Sequence, residues 1–246
     1  MNQPRRTGPR GPILPYQLLA GVTPARRGWL VVSGKIQGIQ LSPNVPELVP
    51  NLADALDARP PYQVLALNAP VGLLEEPVQG GRRCDQEARR LLGWPRAGAI
   101  LSPPTRRSLK ASSIEEASEL SGGLDAVTWY HFPMIREVAE EMAPYRQRFV
   151  YEVHPEMSFF QLNEDQPLRY PKRTNNGRAE RRALLERRIP GVDRVLDAEI
   201  PGVRLWHLLD GCAALWTARR ILAKAATRSP EDPVWDDEGL RMEIVR

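Results

Sequence analysis

Two stretches of this chain carry acids where a core-forming segment would not ordinarily hold them. In "YEVHPEMSF", residues 151–159, Glu152, His154 and Glu156 alternate directly behind the apolar pair Phe149 and Val150. If this segment is a strand, a side-chain period of two sends Glu152 and His154 to one face, and Pro155 ends the ladder. In "LLDGCAALW", residues 208–216, Asp210 stands among apolar neighbours and too far into a helical pattern to act as a cap. A carboxylate in such a place is either buried and paired or faces a cleft. Residues at the carboxyl ends of strands in open sheets commonly line the ligand crevice. Glu152 and Asp210 together would offer the oxygen ligands that Mg²⁺ or Mn²⁺ prefers, and His154 or a glutamate could serve as general base toward water.

Anion-binding groups gather elsewhere. Net charge is +4. Basic residues group in the N-terminal arm, in "TRRSLK" (105–110) and in "PKRTNNGRAERRALLERR" (171–188), a distribution that attracts phosphates but also suits a solvated helix face. Asn175, Asn176 and Gly177 read as a loop just before a helix, so backbone N–H groups there, with Lys172 and Arg178, could hold an anionic group.

The elements that must position these groups follow from periodicity and turn chemistry. Residues 16–22, 28–34 and 36–41 read as three antiparallel strands, with a hairpin turn at "SGK" (33–35). A helical stretch over 49–58 precedes a buried strand, "QVLALNAP" (63–70), which suggests a parallel crossover. "CDQEARRLLG" (84–93) has acids in its first turn, arginines in its last and Gly93 as C-cap. Ser113 with Glu116 marks a capping box, and 135–142 reads as a further helical stretch. After "RFVYEVH" come a polar loop, a basic helix over 177–189 and a long apolar-faced helix within 201–226. This order is an α/β layered domain with a mixed central sheet flanked by helices.

Residues 1–15, "MNQPRRTGPRGPILP", suit a disordered arm, leaving 16–246 as one domain. No apolar run reaches the ~18 residues of a membrane span, and the arm lacks the apolar region of a signal peptide. The two cysteines, Cys84 and Cys212, form no CxxC pair, and a reducing cytoplasm is the default compartment.

Several separated motifs in one order then resemble a known family. "GGRRCDQEARRLLG", "YEVHPEMSF", "KRTNNGRAERRALL", "LLDGCAALWTARR" and "DEGLRMEIV" look like the DUF429 proteins, predicted nucleases with a ribonuclease H-like fold, and the likeness runs from Gly21 to Val245. It implies metal-dependent phosphodiester hydrolysis by acids on the first strand, the fourth strand and the last helix. Thr23, in "GVTPARRGW", and Asn68, in "LNAPVGL", stand where the family pattern has aspartates. Glu152, His154, Glu156 and Asp210 remain as catalytic candidates, with Arg83, Asp85, Lys172 and Arg178 as substrate-binding candidates. Any Mg²⁺ or Mn²⁺ would rest weakly on Asp210 and Glu152, since two-metal catalysis relies on more carboxylates than these. The two functions to separate are a divergent phosphoester hydrolase and a catalytically silent member that binds nucleic acid or a protein.

Overall fold

After Gln17, eight residues with apolar or small side chains complete β1 (Gln17–Ala25), which pairs antiparallel with β2 (Gly28–Gln37). In the computed structural model, which describes residues 16–246, β2 in turn pairs with β3 (Gln40–Pro43) at one end and β4 (Glu47–Val49) at the other. The basic arm over residues 1–15 lies outside the described residues. The β2–β3 turn is not at "SGK": β2 runs through Ser33 and Lys35, and the chain reverses at Gly38, whose φ of +59° is cheap for a residue without a Cβ.

A short helix, α1 (Leu52–Leu56), leads to β5 (Val64–Leu67), which lies parallel to β1. Helices α2 (Arg83–Leu92), α3 (Ile114–Ser121) and α4 (Ala126–Glu141) intervene before β6 (Val150–Glu152), parallel to β5. Helix α4 starts well before the expected residue 135 and contains Pro133. The segment after β6, expected to be a polar loop, is instead α5 (Pro155–Leu162): His154 caps it and Pro155 takes its first turn, where the missing N–H costs nothing. Next come α6 (Asn175–Glu186), α7 (Asp193–Leu196) and α8 (Leu205–Leu222). A hairpin, β7 (Arg228–Trp235) and β8 (Arg241–Val245), closes the chain and touches the main sheet through one bridge, Val153 to Val245. The sheet order is β3-β2-β1-β5-β6, with β4 on β2, so antiparallel and parallel pairing meet at β1.

Period-two alternation divides the buried side chains between two faces. Leu19, Ala66 and Val153 pack with Leu209, Cys212 and Leu215 of α8, and with α5 and α6. Ala20, Val22, Leu65, Leu67 and Val150 pack on the other face with Leu52 of α1 and Val138 of α4. Helix α8 lies almost on the backbone of β1: a Cβ at Gly21 would stand 2.3 Å from the Gly211 carbonyl oxygen and the Leu215 nitrogen. Among the described residues no helix is long and apolar enough to cross a membrane.

Candidate anion site at the carboxyl end of the parallel strands

Parallel pairing among β1, β5 and β6 stops at Val22, Leu67 and Glu152, just before Thr23, Asn68 and the segment that leads to His154. Thr23 follows Gly21 on the face that α8 covers, and Asn68 Nδ2 donates to Thr23 Oγ1 at 2.7 Å. The two positions at which the resemblance led to an expectation of acids hold a neutral, mutually bonded pair, with Thr23 buried.

Asp210 immediately precedes the close contact between α8 and β1. It is 3 % exposed; Lys172 Nζ donates to its Oδ2 at 2.6 Å, and Oδ1 has no hydrogen-bond partner among the described residues. Burial pushes its carboxyl above the ordinary value and the ammonium of Lys172 opposes that. Lys172 is delivered by a loop tied to the start of α6. Glu180 accepts the N–H groups of Arg169 and Tyr170, Arg181 donates to the Tyr170 carbonyl, and the absence of a Cβ at Gly177 admits the Pro171 carbonyl. The Lys172 side chain is 36 % exposed, so its remaining N–H groups are open to solvent. Helix α6 begins at Asn175, with Thr174 Oγ1 accepting from Gly177 N at 3.0 Å. Arg178 donates to the Arg173 carbonyl and to Asn175 Oδ1.

Glu156 is buried against Arg181, Oε1 to Nη2 2.6 Å, and its charge bears on both Asp210 and His154. His154 accepts from Glu156 N through Nδ1 at 3.2 Å, and burial depresses its pKa to about 4. His207 accepts from Arg204 N through Nδ1 at 3.0 Å and is likewise lowered to about 4, by burial first and then by Lys172 and other nearby cations. His131, on α4, feels the charges of Lys172 and Arg173 and itself bears on His207. Sequence patterning singled out neither His131, which lies ahead of the helical stretch expected over 135–142, nor Arg181, one of several basic residues on the expected helix over 177–189.

Glu152 belongs to a different place. It pairs in register with Leu67, so its side chain leaves the sheet on the face opposite α8. There Arg82 binds it with both terminal nitrogens, at 2.8 and 2.5 Å, while Val71 N donates to Oε2 at 2.8 Å. The same guanidinium holds Asp85 at 3.0 and 2.8 Å and the Gly72 carbonyl at 2.9 Å. All five guanidinium N–H groups are thereby used. Burial pushes the Glu152 carboxyl up against the pull of Arg82. The arginine of the "RRCD" segment that matters is Arg82; Arg83, expected to bind substrate, is exposed and pairs with Glu87 at 3.2 Å.

A divalent ion fits neither cluster. Hard cations such as Mg²⁺ seek free carboxylate oxygens and water. In the crevice Thr23 and Asn68 are neutral and bonded to one another, and the ammonium of Lys172 already occupies Asp210 Oδ2. Across the sheet, Cys84, Asp85 and Glu152 bring ligand atoms within 4.8 Å of one another, but a guanidinium binds both carboxylates, and burial pushes the Cys84 thiol well up. Two open depressions elsewhere, of about 540 and 560 Å³, are lined by Tyr16, Lys35 and Tyr62 and by Leu196, Ile200 and Leu205, and contain none of these groups.

One family model, described as a protein of unknown function (DUF429), matches residues 21–234. No curated protein and no solved structure matches the chain.

Proposed function

Because this chain belongs to the DUF429 family, with Thr23 and Asn68 where the family pattern seen in its sequence has aspartates, we propose that it binds a phosphate-bearing ligand, nucleic acid first among them, without metal-dependent hydrolysis. The observation that carries this reading is the ammonium of Lys172 on Asp210 at 2.6 Å, beside the neutral Thr23 and Asn68 pair. An ammonium has three donors; one is spent on Asp210, and the others can meet phosphate oxygens that a metal ion would otherwise hold. Arg178, in the first turn of α6, offers a second cation, and α6 the positive end of its dipole. His154 is suited to shape the wall: its Nδ1 lone pair is committed to a helix cap, so it is poorly placed to draw a proton from water.

Binding of a single-stranded oligonucleotide, followed by fluorescence anisotropy in EDTA, tests the reading. Wild type should bind, Lys172→Met should bind at least about tenfold more weakly, as expected for loss of one charge-assisted hydrogen bond, and EDTA should change nothing. Cleavage of the strand that requires Mn²⁺ would overturn the proposal in favour of a divergent phosphoester hydrolase.

A further inference from the structure

The opposite end of β1, on the sheet face away from α8, borders a second hollow. Leu18 pairs there with Lys35, Val31 pairs with Glu47 of β4, and period two puts Val31, Ser33 and Lys35 of β2 on one side. Helix α1 and the chain after it stand over this face, but Ala55 and Ala58 are too small to fill the space beneath them. A cleft of about 540 Å³ remains, the size of a small-molecule site. Its floor is apolar, with Leu18 and Val31 buried, and Tyr16 and Tyr62 add aromatic rings to its walls. Three charged side chains at this cleft are uncommitted. Lys35, Glu47 and Arg59 are exposed and have neither an ion pair nor a side-chain hydrogen bond among the described residues; Lys35 Nζ stands over the Tyr16 ring, 4.8 Å from its centroid. The fourth, Asp54, is spent on Asn51 at the start of α1. Asn44 gives its backbone N–H to the Ser33 carbonyl and Nδ2 to Ser33 Oγ, both at 2.9 Å, which leaves its own side-chain oxygen open.

We propose that this cleft is a separate binding site for a nucleoside monophosphate, with the phosphate held by Lys35 and Arg59 and an amino-bearing base turned toward Glu47 and Asn44. Two cations with all their donors free suit a phosphate. A flat ring suits the apolar floor and the tyrosine faces. At the far end, a carboxylate and an amide oxygen are both acceptors without donors, and an exocyclic amino group supplies the donor they lack. The spacing agrees with a ligand that carries its charge and its base at opposite ends. Lys35 and the residue opposite Glu47 are four positions apart on β2, about 13 Å at the rise of a strand. Inorganic phosphate would leave the apolar floor and Glu47 without a partner, and an uncharged apolar molecule would leave both cations idle. This site owes nothing to the Lys172 crevice, which lies at the other end of the same strands.

Calorimetric titration of the full chain with CMP and UMP, which differ by an amino group against a carbonyl, tests both ends of the cleft. CMP should bind about tenfold more tightly than UMP, whose carbonyl would face acceptors. Cytidine, without the phosphate, should bind about tenfold more weakly than CMP. Lys35→Gln with Arg59→Gln, both at exposed positions, should bring CMP down to the level of cytidine. Glu47→Gln, which can donate as well as accept, should remove the preference for CMP over UMP. Lys172→Met should change none of these values. Equal binding of CMP and UMP to wild type overturns the inference, as does CMP binding that ignores the Lys35 and Arg59 changes. CMP binding lost in Lys172→Met but kept in the Lys35 and Arg59 variant also overturns it, and places the nucleotide in the crevice instead. Failure of CMP to bind at all ends this inference and leaves the oligonucleotide test of the crevice standing.

Discussion

Two clusters of buried charge face each other across one sheet, and they are built differently. Around Arg82 every guanidinium N–H has an acceptor, both carboxylates are closed off, and the loop after β5 is pinned through Val71 and Gly72. Around Lys172 the accounts are open: Asp210 Oδ1 lacks a partner among the described residues, and the lysine is partly in solvent. A saturated network stabilises a geometry and leaves nothing for a ligand, whereas an unsaturated one beside solvent keeps donors and acceptors in reserve.

The contrast breaks most easily at Arg82. Arg82→Met would strand Glu152 and Asp85 in the core, and urea unfolding at neutral pH should show a loss of about 3 to 5 kcal/mol, the usual cost of a buried pair missing one partner. A loss below about 1 kcal/mol would mean the cluster is not holding the loop. Next, Thr23→Asp with Asn68→Asp adds like charges beside Asp210 and should lower stability by roughly 2 kcal/mol in EDTA. Adding Lys172→Gln to that pair frees Asp210, and Mn²⁺ should then raise the melting temperature in step with its occupancy. If the triple variant is indifferent to Mn²⁺, these positions do not converge on one seat.

Protonation sharpens the same comparison. His154 and His207 have folded values of about 4, below the unfolded histidine value, so the stability they contribute is complete above about pH 6.5 and is lost as pH falls toward 4. After allowance for partial exposure this amounts to on the order of 2 kcal/mol for His154. His154→Asn, which can still cap α5, should flatten that part of the stability profile measured by urea unfolding at several pH values. Smallest of all, Arg83→Ala should change stability by no more than about 0.5 kcal/mol and leave oligonucleotide binding unaltered, because its Glu87 partner is a surface i,i+4 contact. A larger effect on binding would restore Arg83 to the site.

Much of the architecture was legible in the chain. Strand patterning, turn residues and the apolar face of α8 placed the mixed sheet and its longest helix, and the unusual acids Glu152 and Asp210 are indeed buried. What failed did so at the scale of one residue or one face. Arg82 and Arg83 are adjacent, but α2 starts at Arg83, so only Arg82 points back to the sheet. Period two told that Glu152 and Leu67 share a side only once the β5–β6 register was known, and no local pattern says which side α8 covers. Helix α5 was hidden because "HPEMSFF" has apolar residues all round, and its signal was the Pro at its first position with a capping histidine before it. The partner of Asp210 lies 38 residues away, beyond the reach of any spacing rule.

The backbone contact between Gly21 and Gly211 also governs when the site can exist. Strand β1 is synthesised well before α8, so the layer that covers Thr23 and supplies Asp210 arrives only after the elements between them have been made. Contacts of such long sequence separation pay their loop-closure entropy before they give any return, which slows folding and leaves the apolar face of β1 bare in the meantime. A nascent chain arrested before residue 205 would carry the Arg82 cluster complete and no crevice at all, a state in which that face of the sheet is open to chaperones and to other unfinished chains.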